Sequence, residues 1–492
     1  PVTLSHHLSA RLNGPKRAVT AVLNARLISI IDGLVRTTEQ ALLDRGVHAP
    51  LMVVRGDGSL VSAAFVRERP IETILSGPAA SLVGAAHLTA LDDAIISDIG
   101  GTTTDIAVLR DGIPAVSPEG ATVGGHRTMV QAVAMHTHGL GGDSRVRHDD
   151  RQAGAALTIG PRKVVPLCQL AVDEPELVHG MLDVQLTNTM PGELDGVVLI
   201  AERYDERLAA LEGVERQVLE AMGGRVAVAT KALATLQLRR VMERLVQRGV
   251  VQIAAFTPTD ASHVLGIQHT YDVAAARKAA ELFARGRDRM GKAIAPDADT
   301  IAAITVDTLV RRSAEAVLAA AFIDDGLPAD TVTQRVVQSV LDRQLQVVRL
   351  SLGLAAPLVG LGASAGAYYP RVAALLGAES RIPVHADVAN AVGAVVGRVR
   401  LTRECVISAP QHGQFIVHAG EAPVVFVDLL QARAHALAHL TEALHADMVS
   451  AGAPLFETRE QWVEQTVPVD GMELFVEGRL SLTASGRPEL AG

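Results

Sequence analysis

The sequence predicts a mixed α/β protein, and three observations support that fold class. Apolar residues recur at helical spacing in some segments, as from Val19 to Leu43. Other segments are short apolar runs bounded by turn residues, as at 51–54 and 95–99, which is typical of buried strands. Turns of small residues, as at 357–366, join such a run to the start of a helix. Both kinds of element therefore occur along one chain.

Composition limits the function classes. The chain has 492 residues, of which 48% are hydrophobic, and this is enough for two to four domains with buried cores. Its formal net charge of −9 argues against nucleic acid as a partner, because proteins that bind nucleic acid usually carry a basic face. Cys168 and Cys405 provide neither a disulfide framework nor zinc-ligand spacing, so a reducing cytoplasm is the expected location.

No membrane attachment is expected from the sequence. No basic-then-apolar signal segment opens the chain. The longest uncharged run, 350–369, has the length of a membrane span, but its glycines and Pro357 interrupt it. We therefore expect a strand, a turn and the start of a helix within the core at this run.

We expect four parts along the chain, at residues 1–170, 171–300, 301–400 and 401–492. The second part has helical patterns at Glu202–Met222 and 231–247 and a strand at 250–256, so a winged-helix-like insertion is one interpretation. DNA binding by a helix-turn-helix is disfavoured, because these helices have mixed charge and no basic stripe. The last part reads as a small α+β domain around a long helix, Phe426–Ser450.

The stretch Ile95–Gly112 carries the strongest chemical signal. An apolar run containing Asp98 leads into Gly100 and Gly101, and Asp105 opens a second apolar run after three threonines. This pattern predicts a β-hairpin. Adjacent glycines leave backbone N–H groups accessible to an anion, and concave runs of such groups bind phosphate. The turn therefore predicts a site for the β- and γ-phosphates of a nucleotide.

Side chains next to this turn fit the same role. Thr102, Thr103 and Thr104 offer hydroxyl donors at its rim. Asp98 is placed to hold a hydrated Mg²⁺, which takes only one or two protein carboxylates. The alternative is a tight Gly-Gly hairpin without a ligand. A hairpin without a ligand would not require an acidic residue on each side of its turn.

A second glycine-rich loop, Gly139–Ser144, follows along the chain. The residues of this loop with candidate roles are Gly141, Gly142, Asp143 and Ser144. His136 and His138 precede it and share one face of a predicted strand. Contact with a substrate or metal and structural hydrogen bonding are equally compatible with these two histidines.

Two turns of small residues, at 357–366 and 383–394, suit close approach to a flat ligand such as adenosine. Tight packing of helices through glycine and alanine explains the same composition equally well. The histidines of the predicted 426–450 helix lack a His-Glu-x-x-His pattern, which favours a solvated face. Ser76 and Ser364 lack the Gly-x-Ser-x-Gly elbow of hydrolases. The predicted chemistry is therefore driven by phosphate.

Six motifs occur in a fixed order: Leu75-Ser-Gly-Pro78, Gly84-Ala85, Asp98–Asp105, Gly139–Ser144, Thr257-Pro-Thr-Asp260 and Asp387–Gly393. This ordered set resembles the hydantoinase A / 5-oxoprolinase family. That family includes the ATP-using subunits of N-methylhydantoin amidohydrolases and of acetone and acetophenone carboxylases. The resemblance spans nearly the whole chain.

The resemblance implies an actin/sugar-kinase-like ATPase core of two ribonuclease-H-like halves, with ATP and Mg²⁺ in the cleft between them. The first and third of the four parts would form this core. Asp98–Asp105 would be the second of two phosphate loops, and Gly360, Gly362 and Asn390 would face the adenosine. The family also implies a partner subunit of the hydantoinase B kind.

The implied reaction is ATP-dependent hydrolysis of a cyclic amide, of the hydantoin or 5-oxoproline type, or carboxylation of a ketone. Phosphorylation of a carbonyl oxygen would be the common step. Asp98 would hold the metal through water, Gly100–Thr103 would cradle phosphate, and Asp105 would orient the metal or the attacking group. The second loop would add Gly141, Gly142 and Ser144, with His138 and Asp143 toward the substrate.

The sequence departs from the family pattern in two ways. Relatives carry a first half with its own Asp-x-Gly-Gly-Thr loop, and the opening at Pro1 resembles the middle of such proteins. We therefore expect a fragment, or a missing half supplied by another polypeptide. Asp143 stands where many relatives have glycine, which favours a different substrate. A small-molecule kinase and a non-catalytic assembly protein are the alternative functions.

Overall fold

The structure is a computed structural model that describes residues 2–9, 13–117, 119–149, 151–201, 212–411, 413–419, 422–469 and 472–489. The chain divides into two compact units. Unit 1 comprises Pro1–Asp92, Leu109–Met135 and Val388–Gly492, and unit 2 comprises Asp93–Val108 and His136–Asp387. The predicted division into four consecutive parts stays a prediction.

The mixed α/β class is confirmed. The α-helices of the described residues are Ser5–Leu8, Gly14–Leu43, Ala63–Glu68, Ser76–Thr89, Leu167–Asp173, Pro175–Gln185, Gly213–Met222, Ala229–Ala232, Leu236–Gln247, Pro258–Val264, Val273–Ala284, Ala298–Asp324, Arg335–Leu341, Ala365–Leu375, Ala389–Val396 and Leu429–Ser450. Short 3₁₀ helices are Pro70–Thr73, Ala329–Thr333 and Ala386–Val388.

The strands of the described residues are Met52–Val54, Leu60–Ser62, Ala94–Ile99, Thr104–Arg110, Ile113–Pro114, Thr122–Val123, His126–Arg127, Met135–His138, Ser144–His148, Leu157–Lys163, Val165–Pro166, Val198–Ala201, Val226–Val228, Val251–Ala255, Leu358–Leu361, Ser380–Arg381, Val399–Gln411, Gln414–His418, Val424–Phe426, Phe456–Val469 and Met472–Gly486. The predicted hairpin near residue 100 and the predicted strand at 51–54 are both present.

Unit 1 contains the helix predicted from Val19 to Leu43, which spans Gly14–Leu43. The Asn13 side chain caps its first turn by accepting the Lys16 N–H at 3.1 Å, and Pro15 suits that turn because its N–H is missing. The cap and the proline together explain why the helix begins before the periodic apolar residues do.

By length and composition alone this helix could also cross a membrane, and 17% of its most apolar window is buried within the chain. The core helix of a soluble protein meets the same criteria. Asn24 of this helix is fully buried, and its Nδ2 donates to Glu68 O at 3.0 Å while its Oδ1 accepts the Ile71 N–H at 3.2 Å. These hydrogen bonds attach the helix to the rest of unit 1.

The longest helix of the C-terminal region packs against a sheet of unit 1. The sheet consists of Met52–Val54, Leu60–Ser62, Val399–Gln411, Gln414–His418, Val424–Phe426, Phe456–Val469 and Met472–Gly486. Buried side chains recur every four residues from Ala432 to Met448, which gives the Leu429–Ser450 helix one apolar face. Phe426 closes a strand instead of opening this helix, because Asp428 is the cap that accepts the Gln431 N–H at 2.8 Å.

Unit 2 contains the strands that precede the predicted phosphate turn. Leu358–Leu361 pairs in parallel with Ala94–Ile99, so that Leu361 lies opposite Asp98. The helix Ala298–Asp324 is largely buried and contributes to the same hydrophobic core as Ile99. The predicted interruption of the uncharged run 350–369 is confirmed, because it contains one short strand, a turn and a helix start.

The region predicted as helical from residue 171 to 300 contains a four-stranded sheet as well as helices. Its strand order is Val165–Pro166, Val251–Ala255, Val198–Ala201 and Val226–Val228. The first part of the predicted helix Glu202–Met222, up to residue 211, lies outside the described residues. The rest of it is observed as the helix Gly213–Met222. The winged-helix interpretation stays a prediction.

Two small residues bring two helices of unit 1 into close contact. A Cβ added to Gly393 would lie 1.9 Å from Ala80 O, and one added to Gly84 would lie 1.9 Å from Ala389 O. Both distances are far below van der Waals contact. The glycine of the 383–394 turn therefore serves helix packing, which is one of the two roles that its composition allowed.

We expect Gly393→Ala to destabilise unit 1 by about 1–3 kcal/mol or more, because the added methyl group forces the two helix backbones apart. Gly33→Ala is the matched control, since Gly33 is also helical and has nothing within 4 Å of an added Cβ. This control should gain up to about 1 kcal/mol from helix propensity. Thermal unfolding of both variants measures the difference. Equal melting temperatures for the two variants would contradict the packing role.

Candidate functional site

The predicted turn is closed by its own backbone. Gly100 N–H donates to Thr103 O at 2.9 Å, directly after the Ala94–Ile99 strand. Asp98 lies near the end of this strand and is half-buried, and Asp105 is the second residue of the next strand. The two acids therefore flank the turn, as the sequence predicts.

The two glycine-rich loops are in direct contact. Gly142 N–H donates to Gly100 O at 3.2 Å, and Asp143 N–H donates to Gly101 O at 2.8 Å. About forty residues of sequence separate the partners. The structure thus brings the turn at Gly100–Gly101 together with the loop Gly139–Ser144.

Glycine is required at this contact. A Cβ added to Gly141 would lie 2.6 Å from both the oxygen of Gly100 and that of Gly101. A Cβ added to Gly101 would lie 2.2 Å from Asp143 Oδ2. A side chain at Gly141 would separate the loops, whereas one at Gly101 would displace the Asp143 side chain. The Asp143 carboxylate consequently lies against the Gly100–Gly101 turn.

Two hydroxyl groups with predicted roles are buried, Thr104 from the rim of the turn and Ser144 from the second loop. Thr104 is fully buried, and its Oγ1 donates to Leu140 O at 2.7 Å. Ser144 is also fully buried, and its Oγ accepts the Gly141 N–H at 2.9 Å. Both side chains stabilise the second loop from inside. Thr102 and Thr103 remain partly exposed beside the turn.

Thr259 holds the second loop through its backbone and its side chain. Its N–H donates to Gly142 O at 2.9 Å, and its Oγ1 donates to Asp143 Oδ1 at 3.1 Å. Burial raises the pKa of Asp143, while the bond from Thr259 and the charge of Lys163 oppose that rise. The sequence offered Thr259 only as part of a family motif, so its contact with Asp143 was missed.

Asp260 explains why Thr259 is so well placed. Its Oδ2 accepts the N–H of Thr257 at 2.9 Å and the Thr257 hydroxyl at 2.7 Å, and Oδ1 accepts the Cys168 N–H at 2.7 Å. Thr257 and Asp260 thus form a capping box at the start of the Pro258–Val264 helix. Burial also raises the pKa of Cys168 far above its ordinary value, so this thiol is not an activated nucleophile.

Asp105 and the two histidines form a second polar group near the turn. Thr137 Oγ1 donates to Asp105 Oδ1 at 2.6 Å. Burial raises the pKa of Asp105, and it lowers the pKa of both His136 and His138. Proximity of His136 and Arg312 lowers the pKa of His138 further, so both imidazoles are neutral at pH 7. A neutral imidazole can accept a proton, which suits general-base chemistry.

Gly360 and Gly362 belong to unit 2 and lie close to the end of the first strand. Gly360 is buried in the strand beside Tyr369. Gly362 has a φ of +100°, and a Cβ there would lie 2.2 Å from Ile99 O and 3.4 Å from Asp98 Oδ1. The segment around Gly362 therefore passes directly beside the Asp98 carboxylate.

Asn390 belongs to unit 1. It is exposed, and its Oδ1 accepts the N–H of the next residue, Ala391, at 2.8 Å. Its predicted role toward adenosine stays a prediction. The histidines of the Leu429–Ser450 helix are exposed or half-buried, and ring contacts link His435 to Phe426 and His445 to Phe456.

No group of three or more His, Cys, Asp or Glu side chains within the described part of the chain is arranged to hold a metal ion. Mg²⁺ does not require such a group, because it retains water ligands and takes one or two carboxylates. Asp143 lies against Gly101 of the turn, and Asp98 lies near the end of the strand that leads into it.

Comparison with known proteins gives consistent results. The sequence profile described as Hydantoinase/oxoprolinase matches residues 17–403. Caprolactamase subunit alpha of Pseudomonas jessenii is 26% identical over 243 residues, which cover 48% of this chain and 34% of that protein. The acetophenone carboxylase gamma subunit of Aromatoleum aromaticum is 27% identical over 33% of this chain and 22% of its own length. The matched segments thus span about a third or less of these relatives.

Two solved structures share the fold. The ATP-dependent caprolactamase from Pseudomonas jessenii matches with a TM-score of 0.54 and 17% identity, over 100% of this chain and 62% of that chain. A nucleotide-free acetone carboxylase matches with a TM-score of 0.52 and 15% identity, over 99% of this chain and 59% of that chain. The fold therefore corresponds to about three-fifths of each of these longer chains.

The raised pKa of Asp143 has a consequence for stability. Folding disfavours the ionised form of Asp143. Below the unfolded pKa the side chain is protonated in both states and does not lower the free energy of unfolding. That free energy falls as the pH rises above the unfolded pKa, and the full decrease is reached above the folded pKa. We expect Asp143→Asn to melt at a higher temperature than the unmodified chain at pH 7, with a difference that disappears near pH 3. Asp149→Asn is the control, because hydrogen bonds lower the pKa of that exposed carboxylate. A lower melting temperature for Asp143→Asn at pH 7 would contradict this assignment.

Proposed function

Because the chain belongs to the hydantoinase/oxoprolinase family, we propose that it supplies part of the ATP site of an ATP-dependent enzyme that hydrolyses cyclic amides, or of a related carboxylase. The observation that carries this proposal is the pair of hydrogen-bonded glycine loops, with Asp98 and Asp143 beside them. Caprolactamase and acetophenone carboxylase subunits among the relatives support these two reaction classes.

We also assign to the chain the actin/sugar-kinase-like core that the family resemblance implies. Residues 1–170 and 301–400 would contribute to this core, with an insertion at 171–300 and a small α+β domain at 401–492. The parallel pairing of Leu358–Leu361 with the strand that leads into the turn supports this assignment. In parallel sheets, ligands bind at the carboxyl ends of strands, which is where Asp98 lies.

The residues of the turn fit a triphosphate with Mg²⁺. The exposed backbone of Gly100 has no side chain that would block an anion, and Thr102 and Thr103 flank it with hydroxyl groups. Asp98 would hold a hydrated Mg²⁺. The adjacent Asp143 carboxylate would repel bare phosphate, so a metal ion between the acid and the phosphate suits the charges of this site.

When bound, ATP would supply a phosphoryl group to the carbonyl oxygen of a cyclic amide, which would make the carbonyl carbon open to water, so that the ring C–N bond could break with the proton going to nitrogen. A second water would then displace the phosphorylated oxygen as inorganic phosphate. The chain contributes mainly position and charge to such a reaction. Gly141 and Gly142 keep the two loops in contact, and Thr259 fixes the Asp143 carboxylate. Neutral His138 is a candidate to accept the proton of the attacking water, with Asp105 close enough to stabilise the resulting imidazolium.

We further propose a partner subunit, as the word subunit in both relatives' names suggests, and a cytoplasmic location. The substrate would be a small cyclic amide or ketone. The longer relatives also suggest that the remaining ATP contacts come from protein beyond these 492 residues.

Binding of MgATP tests the nucleotide site. We expect isothermal titration calorimetry to detect MgATP binding, and we expect Asp98→Asn to weaken it about tenfold or more by removing the carboxylate near the end of the strand that leads into the turn. Asp173→Asn removes an exposed acid at the end of a unit 2 helix and is the matched control. Equal affinity for the two variants would remove Asp98 from the site. Absence of MgATP binding by the chain together with its partner subunits would overturn the proposal.

Isotope labelling tests the reaction class. A cyclic amide such as 5-oxoproline, hydantoin or caprolactam would carry ¹⁸O in its carbonyl group. If that oxygen is phosphorylated, the label should appear in inorganic phosphate, in proportion to ADP formed and ring opened. Mass spectrometry of the phosphate measures this transfer.

The other outcomes of this experiment identify the alternatives. A stable phosphoester without ring opening would indicate a small-molecule kinase. ATP consumption only with a ketone and bicarbonate would select the carboxylase. Nucleotide binding without turnover of any of these substrates, measured with the partner subunits present, would favour a non-catalytic assembly protein.

A further inference from the structure

Unit 2 contains a second feature that the proposed ATP site leaves unused, a cavity of about 800 Å³. This volume lies within the range of typical small-molecule sites, about 300–1,000 Å³. Its wall comes from the Ser144–His148 strand, the segment 191–197 and the end of the Val273–Ala284 helix, among others. The described residues of the wall include none to which the proposed function gives a role.

Part of the cavity wall is apolar and aromatic. Phe256 and Phe283 both line it, with ring centroids 5.1 Å apart and planes inclined by 32°. Leu282 and Ile294 extend this side and are themselves buried. A ligand with an apolar or aromatic body would remove this surface from water, which favours binding.

Four arginines also line the cavity, and two of them already have partners. Arg162 donates to both carboxylate oxygens of Glu243, at 3.5 and 3.1 Å. Arg287 donates to two backbone carbonyls, those of Gly291 at 3.2 Å and Thr189 at 3.1 Å. These two guanidinium groups are therefore largely satisfied within the chain.

Arg145 differs from them. Within the described residues its guanidinium has no hydrogen bond and no ion pair, although it is half-buried. Burial lowers its pKa, and the charges of Arg147 and Arg162 lower it further, against a smaller opposing influence of Glu193 and Glu243. Glu193, Asp195 and Glu243 also line the cavity, but no described carboxylate pairs with Arg145. A half-buried guanidinium with its N–H donors available favours an anionic ligand.

We propose that this cavity binds a small carboxylate with an apolar or aromatic body, and that Arg145 donates hydrogen bonds to the carboxylate. The planar guanidinium matches the two oxygens of a carboxylate, and such charge-assisted pairs are among the strongest hydrogen bonds in proteins. The Phe256 and Phe283 side receives the apolar body. An inorganic anion would satisfy Arg145 but would make no contact with the partly exposed Phe283.

Three probes separate these contributions in calorimetric titrations without nucleotide. The probe 4-phenylbutyrate has the charge and the body, 4-phenylbutanol has the body alone, and inorganic phosphate has the charge alone. We expect 4-phenylbutyrate to bind at least about tenfold more tightly than either of the others, because only it uses both sides.

Variants assign the binding to named residues. Arg145→Gln should weaken 4-phenylbutyrate about tenfold or more and leave 4-phenylbutanol unchanged. Arg145→Lys, which retains one charge but not the planar fork, should weaken it less. Phe283→Leu should weaken both organic probes. Arg225→Gln, at an exposed arginine of unit 2 outside the cavity wall, is the matched control and should change nothing.

The proposal is overturned if 4-phenylbutyrate does not bind, if 4-phenylbutanol binds equally well, or if phosphate does. It is also overturned if both Arg145 variants, with melting temperatures like that of the unmodified chain, bind 4-phenylbutyrate normally. Because no nucleotide is present, the outcome is independent of MgATP binding, and either proposal can fail without the other.

Discussion

The backbone contact between the two glycine loops is the constraint on which the candidate site depends. Two N–H groups of the second loop reach carbonyl oxygens of the first turn, and no side chain fits between them at Gly141. The other hydrogen bonds of the second loop support that contact. Ser144 and Thr104 satisfy polar groups inside the second loop, and Thr259 holds its outer side at a helix start that Asp260 caps.

Several acidic side chains near the loops are buried or half-buried, and burial disfavours their ionised form. Burial raises the pKa of Asp105, Asp143 and Asp260, so each ionised carboxylate opposes folding at neutral pH. Asp260 is compensated by three donors, and its role is structural. Asp143 receives a single hydroxyl group, so its charge is only partly compensated. Buried charges that lower stability and have few hydrogen-bond donors are typical of functional sites.

Sequence reasoning succeeded where the information is local. The hairpin at Gly100 follows from adjacent glycines between two apolar runs, and the family assignment follows from ordered motifs, which the profile match confirms. The contact of Gly101 with Asp143 is not local, since no periodicity encodes which loop a turn will touch. Gly393 shows a different limit, because close packing against Ala80 and close approach to a ligand require the same absent side chain.

The cavity shows why a site can leave no mark in a sequence. Arg145 lies more than a hundred residues before Phe256 and Phe283 in the sequence, and each is unremarkable in its own segment. The Ser144–His148 strand links the cavity to the loops. The loop residue Asp143 directly precedes this strand, and Arg145 lies within it. The strand pairs with Leu157–Lys163, and Asp143 O accepts the Val164 N–H at 2.9 Å. A ligand that anchors Arg145 would therefore stiffen the same backbone that positions Asp143 beside the turn.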